Sequence, residues 1–281
     1  MKRLPSHYFL LILMVIGLLG MSCSKDVRQY RKYSLKGGVA EKDSAAFFFY
    51  KRGDYEKAAF LFEELLGYYR SNTRYQEILY HLAYSRYNQR RYLESSQFFE
   101  QFTKRFPNVE RTEECAFLLA VSFYKLSLPY YLDQTPTLKA MDQLQYFLVS
   151  YPYSEHKEQS QEYMGDLRER LAKKSLELAR LYYKREDYRA AVTSFKVFLQ
   201  EYPDSRYREE GHFNWFLAAA DFARNSTDRR KENRYKDALD VYEEFLERYP
   251  DSGYLKDAEQ TFAKVRKELG EILIEKESSS Q

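Results

Sequence analysis

The chain has 281 residues, long enough for a large core, and sets 28 tyrosines and 20 phenylalanines against only 10 glycines and 7 prolines. So few breakers among so many bulky side chains exclude a loop-rich or disordered protein. Lys+Arg 45 and Asp+Glu 42 nearly cancel to a net +3, which offers no basis for nucleic-acid binding and assigns most charge to solvated helix faces.

Lys2 and Arg3 begin the chain, and an uncharged aliphatic run of 13 residues follows from Tyr8 to Gly20. That run is shorter than the ~20 apolar residues of a spanning helix. It predicts a secretory signal peptide over 1–22 instead. Leu19-Gly20-Met21-Ser22-Cys23 resembles a bacterial lipobox, with Gly20 and Met21 as looser fits. The resemblance implies that Cys23 is lipidated and begins a linker, 23–40, tethering the protein to a membrane. Cys115 then has no partner, and its apolar surroundings predict a buried, inert thiol.

From residue 41 onward one signature recurs five times. A small-residue pair and a later aromatic appear at Ala45-Ala46/Tyr50, Leu82-Ala83/Tyr87, Leu119-Ala120/Tyr124, Leu178-Ala179/Tyr183 and Leu217-Ala218/Phe222. Each is followed by a second motif ending in a small residue: Ala58, Ser95, Ala140, Ala191 and Ala238. In all but the first repeat a proline stands 12 residues further on, at Pro107, Pro152, Pro203 and Pro250. Apolar anchors lie four and seven residues after each small position, such as Phe99 and Phe102 or Phe195 and Phe198. That spacing shares one helical face, and proline stops the helix because it lacks an N–H and crowds the preceding turn. Each unit therefore reads as a helical hairpin. Its small residues mark the crossing of helices A and B.

The spacing, with Gly53-Asp54-Tyr55-Glu56-Lys57-Ala58 at the first A–B turn, resembles the tetratricopeptide repeat. The expected fold is all-α, a right-handed superhelical solenoid of about five such hairpins. Repeat three carries an eight-residue insertion near Lys125 to Leu132, and repeat five a charged one from Arg224 to Arg234. Breaker-poor residues from His156 to Lys174 predict a lengthened helix A in repeat four. The expected divisions are repeats one to three over 41–155, repeats four and five over 156–270, and an unstructured tail over 271–281.

Tetratricopeptide register directs Phe47, Tyr50, Tyr80, Tyr84, Tyr87, Phe117 and Tyr124 toward a peptide-binding groove lined by A helices. No catalytic or metal-binding constellation stands out, since the four histidines are scattered and no HExxH, CxxC, P-loop or GxGxxG occurs. The reading is of a binding protein that is not an enzyme and needs no cofactor.

A five-repeat lipoprotein with this insertion resembles the BamD family of outer-membrane assembly factors. Tyr131-Leu132-Asp133-Gln134-Thr135, Lys139-Ala140 and the run from Phe147 through Tyr151-Pro152 to Ser154 carry the resemblance most specifically. It implies an outer-membrane, lipid-anchored protein facing the periplasm, which binds the C-terminal segments of unfolded barrel proteins through repeats one to three. It also implies docking on the periplasmic domain of the insertase BamA, with Arg224, Arg229 and Arg230 placed there by position alone. The alternatives are a periplasmic tetratricopeptide scaffold for cell-envelope or cell-division proteins, and a surface lipoprotein of nutrient capture.

Overall fold

A computed structural model describes residues 37–278, so the signal-peptide and Cys23 expectations lie outside the described residues. Those residues form eleven helices and no strand. In chain order they are α1 Val39–Lys51, α2 Tyr55–Tyr68, α3 Arg74–Asn88, α4 Tyr92–Arg105, α5 Arg111–Leu126 and α6 Thr135–Ser150. Then come α7 Lys157–Lys184, α8 Tyr188–Glu201, α9 Arg208–Arg224, α10 Asp228–Arg248 and α11 Leu255–Ser278. They pair as five tetratricopeptide-type hairpins, α5 meeting α6 through Phe117 and Phe147 and α7 meeting α8 through Ala179 and Ala191, with α11 packed on α9 and α10 as a further helix.

The recurring small residues account for the pairing. Ala46, Ala83, Ala120, Ala179 and Ala218 on A helices, and Ala58, Ser95, Ala140, Ala191 and Ala238 on B helices, are fully buried. The aromatic anchors follow them inward, with Phe62, Phe99, Phe102, Phe147, Phe195, Phe198 and Phe245 all sealed from solvent. Each such ring contributes roughly 1.5–3 kcal/mol through burial.

The turns repeat as faithfully as the cores. Gly53 has φ +75°, and the same place in hairpins two and four holds Arg90 at φ 60° and Glu186 at φ 61°. In all three the next amide reaches back five residues, Asp54 to Phe49, Arg91 to Arg86 and Asp187 to Tyr182, at 3.0, 3.0 and 3.1 Å. This left-handed closure satisfies carbonyls orphaned at the end of helix A. Asp54 and Asp187 then accept from the amides of Lys57 and Ala190, capping helix B. At the far end, Phe106, Tyr202 and Tyr249 precede proline and leave the helical region, with φ between −124° and −133°. Behind the later prolines, Ser154, Ser205 and Ser252 each accept from the amide two residues on, at 3.1, 3.2 and 3.0 Å.

The described residues fall into two compact units. One lies within Met1–Ser127 and Pro136–Gln161, the other within Leu128–Thr135 and Glu162–Gln281. The boundary between the units at Gln161/Glu162 falls inside α7, which runs unbroken for 28 residues, whereas the repeat division expected at 155/156 lies in the loop just before that helix. α1 also begins at Val39, inside the expected linker. The tail expectation is corrected for 271–278, which continues α11 to Ser278. Val265 and Leu269 are buried and Ile272 packs beside them against Ala219 and Ala220, so an apolar stripe carries the helix onward. Lys276 adds an ion pair to Glu232 at 2.9 Å.

Candidate peptide-binding face

In the first unit the A helices α1, α3 and α5 are linked by polar contacts reaching from one to the next. Arg74 of α3 grips Asp43 of α1 through two nitrogens at 2.9 and 3.1 Å, and Tyr69 donates to the same carboxylate at 2.9 Å. Burial pushes Asp43 up, but the hydrogen bonds from Arg74 and Tyr69 outweigh it and hold the carboxyl below its usual range. One step along, Arg111 of α5 donates to Glu77 at 2.8 Å and lies over the Tyr80 ring at 4.4 Å. Beside it, Tyr80 and Tyr84 both donate to the Glu114 carboxylate, Tyr80 at 2.9 Å. Burial and these bonds to Glu114 raise both phenols well above their ordinary range, so they stay neutral donors.

Aromatic rings fill the space between these bridges, and His81 is their hub. Phe47, Tyr50 and Tyr80 lie edge-on to its imidazole at 4.8, 4.7 and 5.2 Å. Burial lowers its pKa, so the ring is neutral near pH 7. Nδ1 sits 2.8 Å from the Glu77 carbonyl, the position of a donor to that oxygen. Arg74 covers the outer side of Phe47 at 4.6 Å. An open depression is lined here by Asp43, Phe47, Lys51, Arg74, Glu77 and His81. It offers half-buried rings, charged groups of both signs and no activated nucleophile. Such a surface suits a peptide carrying aromatic and polar side chains.

The structure brings Phe47, Tyr50, Tyr80 and Tyr84 together, all half-buried. Tyr87 lies further along α3, edge-on to Tyr92 at 5.5 Å. Tyr124 is half-buried near the end of α5, with Lys125 over its ring at 5.5 Å. Phe117 does not face a groove. It is 6% exposed, stacked on His156 at 4.1 Å and packed against Phe147, so it belongs to the core between hairpins. His81, Arg74, Arg111 and Glu114 were missed from the sequence. His81 had a signal, its place between Tyr80 and the Leu82-Ala83 pair; the three charged residues had none.

In the second unit the charged insertion of repeat five is helical, since α10 already starts at Asp228. Arg224, Arg229 and Arg230 are all exposed, but Arg224 is paired with Asp221 at 2.5 Å and Glu268 at 3.2 Å. Among the described residues no group of three or more His, Cys, Asp or Glu could hold a metal, and no helix is long and apolar enough to cross a membrane.

The family model for YfiO, an outer membrane lipoprotein, matches residues 43–218 and 198–275. A chain of Aquifex aeolicus (strain VF5), named for the outer membrane protein assembly factor BamD, is 29% identical over 133 residues. The match covers 47% of this chain and 42% of that one, so under half of the relative is spanned. Among solved structures, the TPR2AB domain of yeast Sti1 in its pHSP90 complex superposes with a TM-score of 0.40 at 13% identity, over 81% of this chain and 98% of that one. The yeast histone chaperone Hif1 does so at 0.28 and 14% identity, over 70% and 94%.

Proposed function

The chain belongs to the YfiO family of outer membrane lipoproteins, and from that premise we propose that it acts in the assembly of β-barrel proteins into the outer membrane. It works as a receptor and scaffold without catalysing a reaction. Unfolded barrel proteins present C-terminal segments to the aromatic face of α1, α3 and α5, and BamA is the docking partner. The observation that carries the substrate reading is the convergence of Phe47, Tyr50 and Tyr80 on His81 beside the paired phenols on Glu114. A terminal strand alternating aromatic and polar side chains would set its rings against these and its amides against their polar edges.

Exposed Arg229 and Arg230 are the cations offered for docking, while Arg224, also exposed, already pairs with Asp221 and Glu268. A lipid on Cys23 would hold the chain at the membrane, facing the periplasm. The deciding experiment is affinity isolation of the full chain from solubilised membranes. Co-purification of a large barrel protein with periplasmic repeat domains supports the assignment. Recovery of wall-synthesis or division proteins alone would replace it with an envelope scaffold.

A further inference from the structure

The junction of two B helices with the A helix between them leaves a crevice in this architecture, and it occurs at equivalent repeat positions in both units. In the first unit it lies between α4, α5 and α6, where α5 contributes Thr112, Ala116 and Leu119. Those residues stand 5, 9 and 12 places after Pro107. In the second unit it lies between α8, α9 and α10, and the places 5, 9 and 12 after Pro203 hold Arg208, His212 and Trp215. A small polar and two apolar residues thus give way to three that carry N–H groups. Lys196 and Arg248 join them at the rim, with Glu244 as the one carboxylate.

These groups are not consumed by the fold. His212 is fully buried, and neither of its ring nitrogens makes a hydrogen bond. The Arg208 Nε, the Trp215 Nε1 and the neighbouring Tyr249 hydroxyl are likewise buried without a partner. Each orphaned group has lost its hydration without compensation unless something meets it. Arg Nε and Trp Nε1 can only donate, so what meets them must accept. Glu244 does not suffice, because it stays 4.0 Å from His212 Nε2 and leans toward Arg248 at 3.7 Å. Three cations against one carboxylate leave an excess of two positive charges around a crevice of about 340 Å³. That lies at the small end of the ~300–1,000 Å³ typical of ligand sites.

We propose that this crevice binds a phosphate group, held by Arg208 with Lys196 and Arg248 and bounded by His212 and Trp215. A phosphate dianion matches the charge excess, and its oxygens accept from planar guanidinium and indole donors alike. The first amides of α9, which starts at Arg208 with no side-chain cap, add partial positive charge at the same place. The phosphate arrives free in solution or as part of a lipid headgroup.

Trp215 is the only tryptophan, so emission excited at the red edge, where the 28 tyrosines do not absorb, comes from a ring that lines this crevice. The full chain is titrated at constant ionic strength with inorganic phosphate and, separately, with phosphatidylcholine vesicles with and without phosphatidic acid. A saturable change with phosphate supports a free ligand, and one confined to phosphatidic acid vesicles supports a headgroup. In either case Lys196→Gln with Arg248→Gln, both at the exposed rim, weakens the response at least about tenfold, the loss of a charge-assisted hydrogen bond. Arg208→Gln does the same, with helicity checked by circular dichroism. No saturation in either arm, an equal response to sodium chloride, or an unaltered response in the rim variant overturns the proposal.

Discussion

The Tyr80 hydroxyl of α3 donates to the Glu114 carboxylate of α5 at 2.9 Å, and so joins the second hairpin to the third. Tyr84, one turn further on, donates a hydrogen bond to the other oxygen of the same group. One carboxylate thereby positions two rings of the proposed peptide face. It also couples that face to the stacking of hairpins, so recognition and stability share an atom group.

Glu114→Ala therefore strands two half-buried phenols at once. Loss of an acceptor costs about 1–3 kcal/mol, read as a lowered urea midpoint. Glu113→Ala, next in sequence with no such bond to the phenols, moves the midpoint by no more than about 0.5 kcal/mol. Equal effects in the two variants would mean that the phenols find other partners.

Tyr80→Ala with Tyr84→Ala removes both rings without touching the sealed anchors Phe99 and Phe102. The affinity for a labelled barrel C-terminal peptide, measured by anisotropy, should fall at least about tenfold, as for loss of an interface hot spot. Far-UV circular dichroism should keep its helical shape. Unchanged affinity would move the peptide site off this face.

Arg90 and Glu186 hold a backbone conformation that only glycine adopts without cost, as Gly53 does in the first hairpin. Arg90→Gly and Glu186→Gly should each stabilise the chain by about 1 kcal/mol, the left-handed penalty of a side chain. Gly53→Ala should destabilise it by a similar amount, through φ alone, because its added Cβ meets no atom within 4 Å. Urea midpoints of the three variants check both signs.

These turns also mark how far the sequence could be read. Small residues, anchors and prolines recur at fixed spacing because every hairpin solves the same crossing problem, so hairpin order and core were legible. Arg90 and Glu186 were legible only by aligning them with Gly53. Phe117 misled, because ring type and register cannot tell a groove residue from one stacked on His156. His81 was weighed only as a catalytic group and passed over as an aromatic hub. The polar look of 271–281 hid Ile272, which continues the buried stripe of Val265 and Leu269. The partners of Arg74, Arg111 and Glu114 depend on which hairpins adjoin, a relation that spacing along one helix does not encode.

Cys23→Ala tests the anchor separately from the fold. Without the thiol there is no lipid attachment, and acyl chains supply ~0.8 kcal/mol per buried methylene. The variant should leave the membrane fraction and appear soluble with unchanged helicity. Retention in the membrane fraction after a carbonate wash would refute lipidation as the tether.

Acidification should weaken the second unit through His212. Burial, with Arg208 beside the ring, lowers its pKa to about 4 from an ordinary 6.5, while the Val241 carbonyl opposes this only weakly from outside hydrogen-bond geometry. The folded state thus prefers neutral imidazole, and between pH 6.5 and 4 the unfolded chain binds more protons. Stability from this residue is complete above pH 6.5 and is lost as pH falls toward 4, at about 1.4 kcal/mol per unit of pKa difference. Arg208 of α9, Lys196 of α8 and Arg248 of α10 oppose protonation, and Glu244 at 4.0 Å favours it only from its exposed position. His81, also lowered, adds a loss of the same sign from the first unit. Urea midpoints should therefore fall from pH 7 to pH 5, before carboxylates such as Asp43 begin to protonate, and His212→Gln should flatten part of that slope. An identical slope in the variant would show that His212 is already protonated in the folded chain, or that it opens to solvent without unfolding.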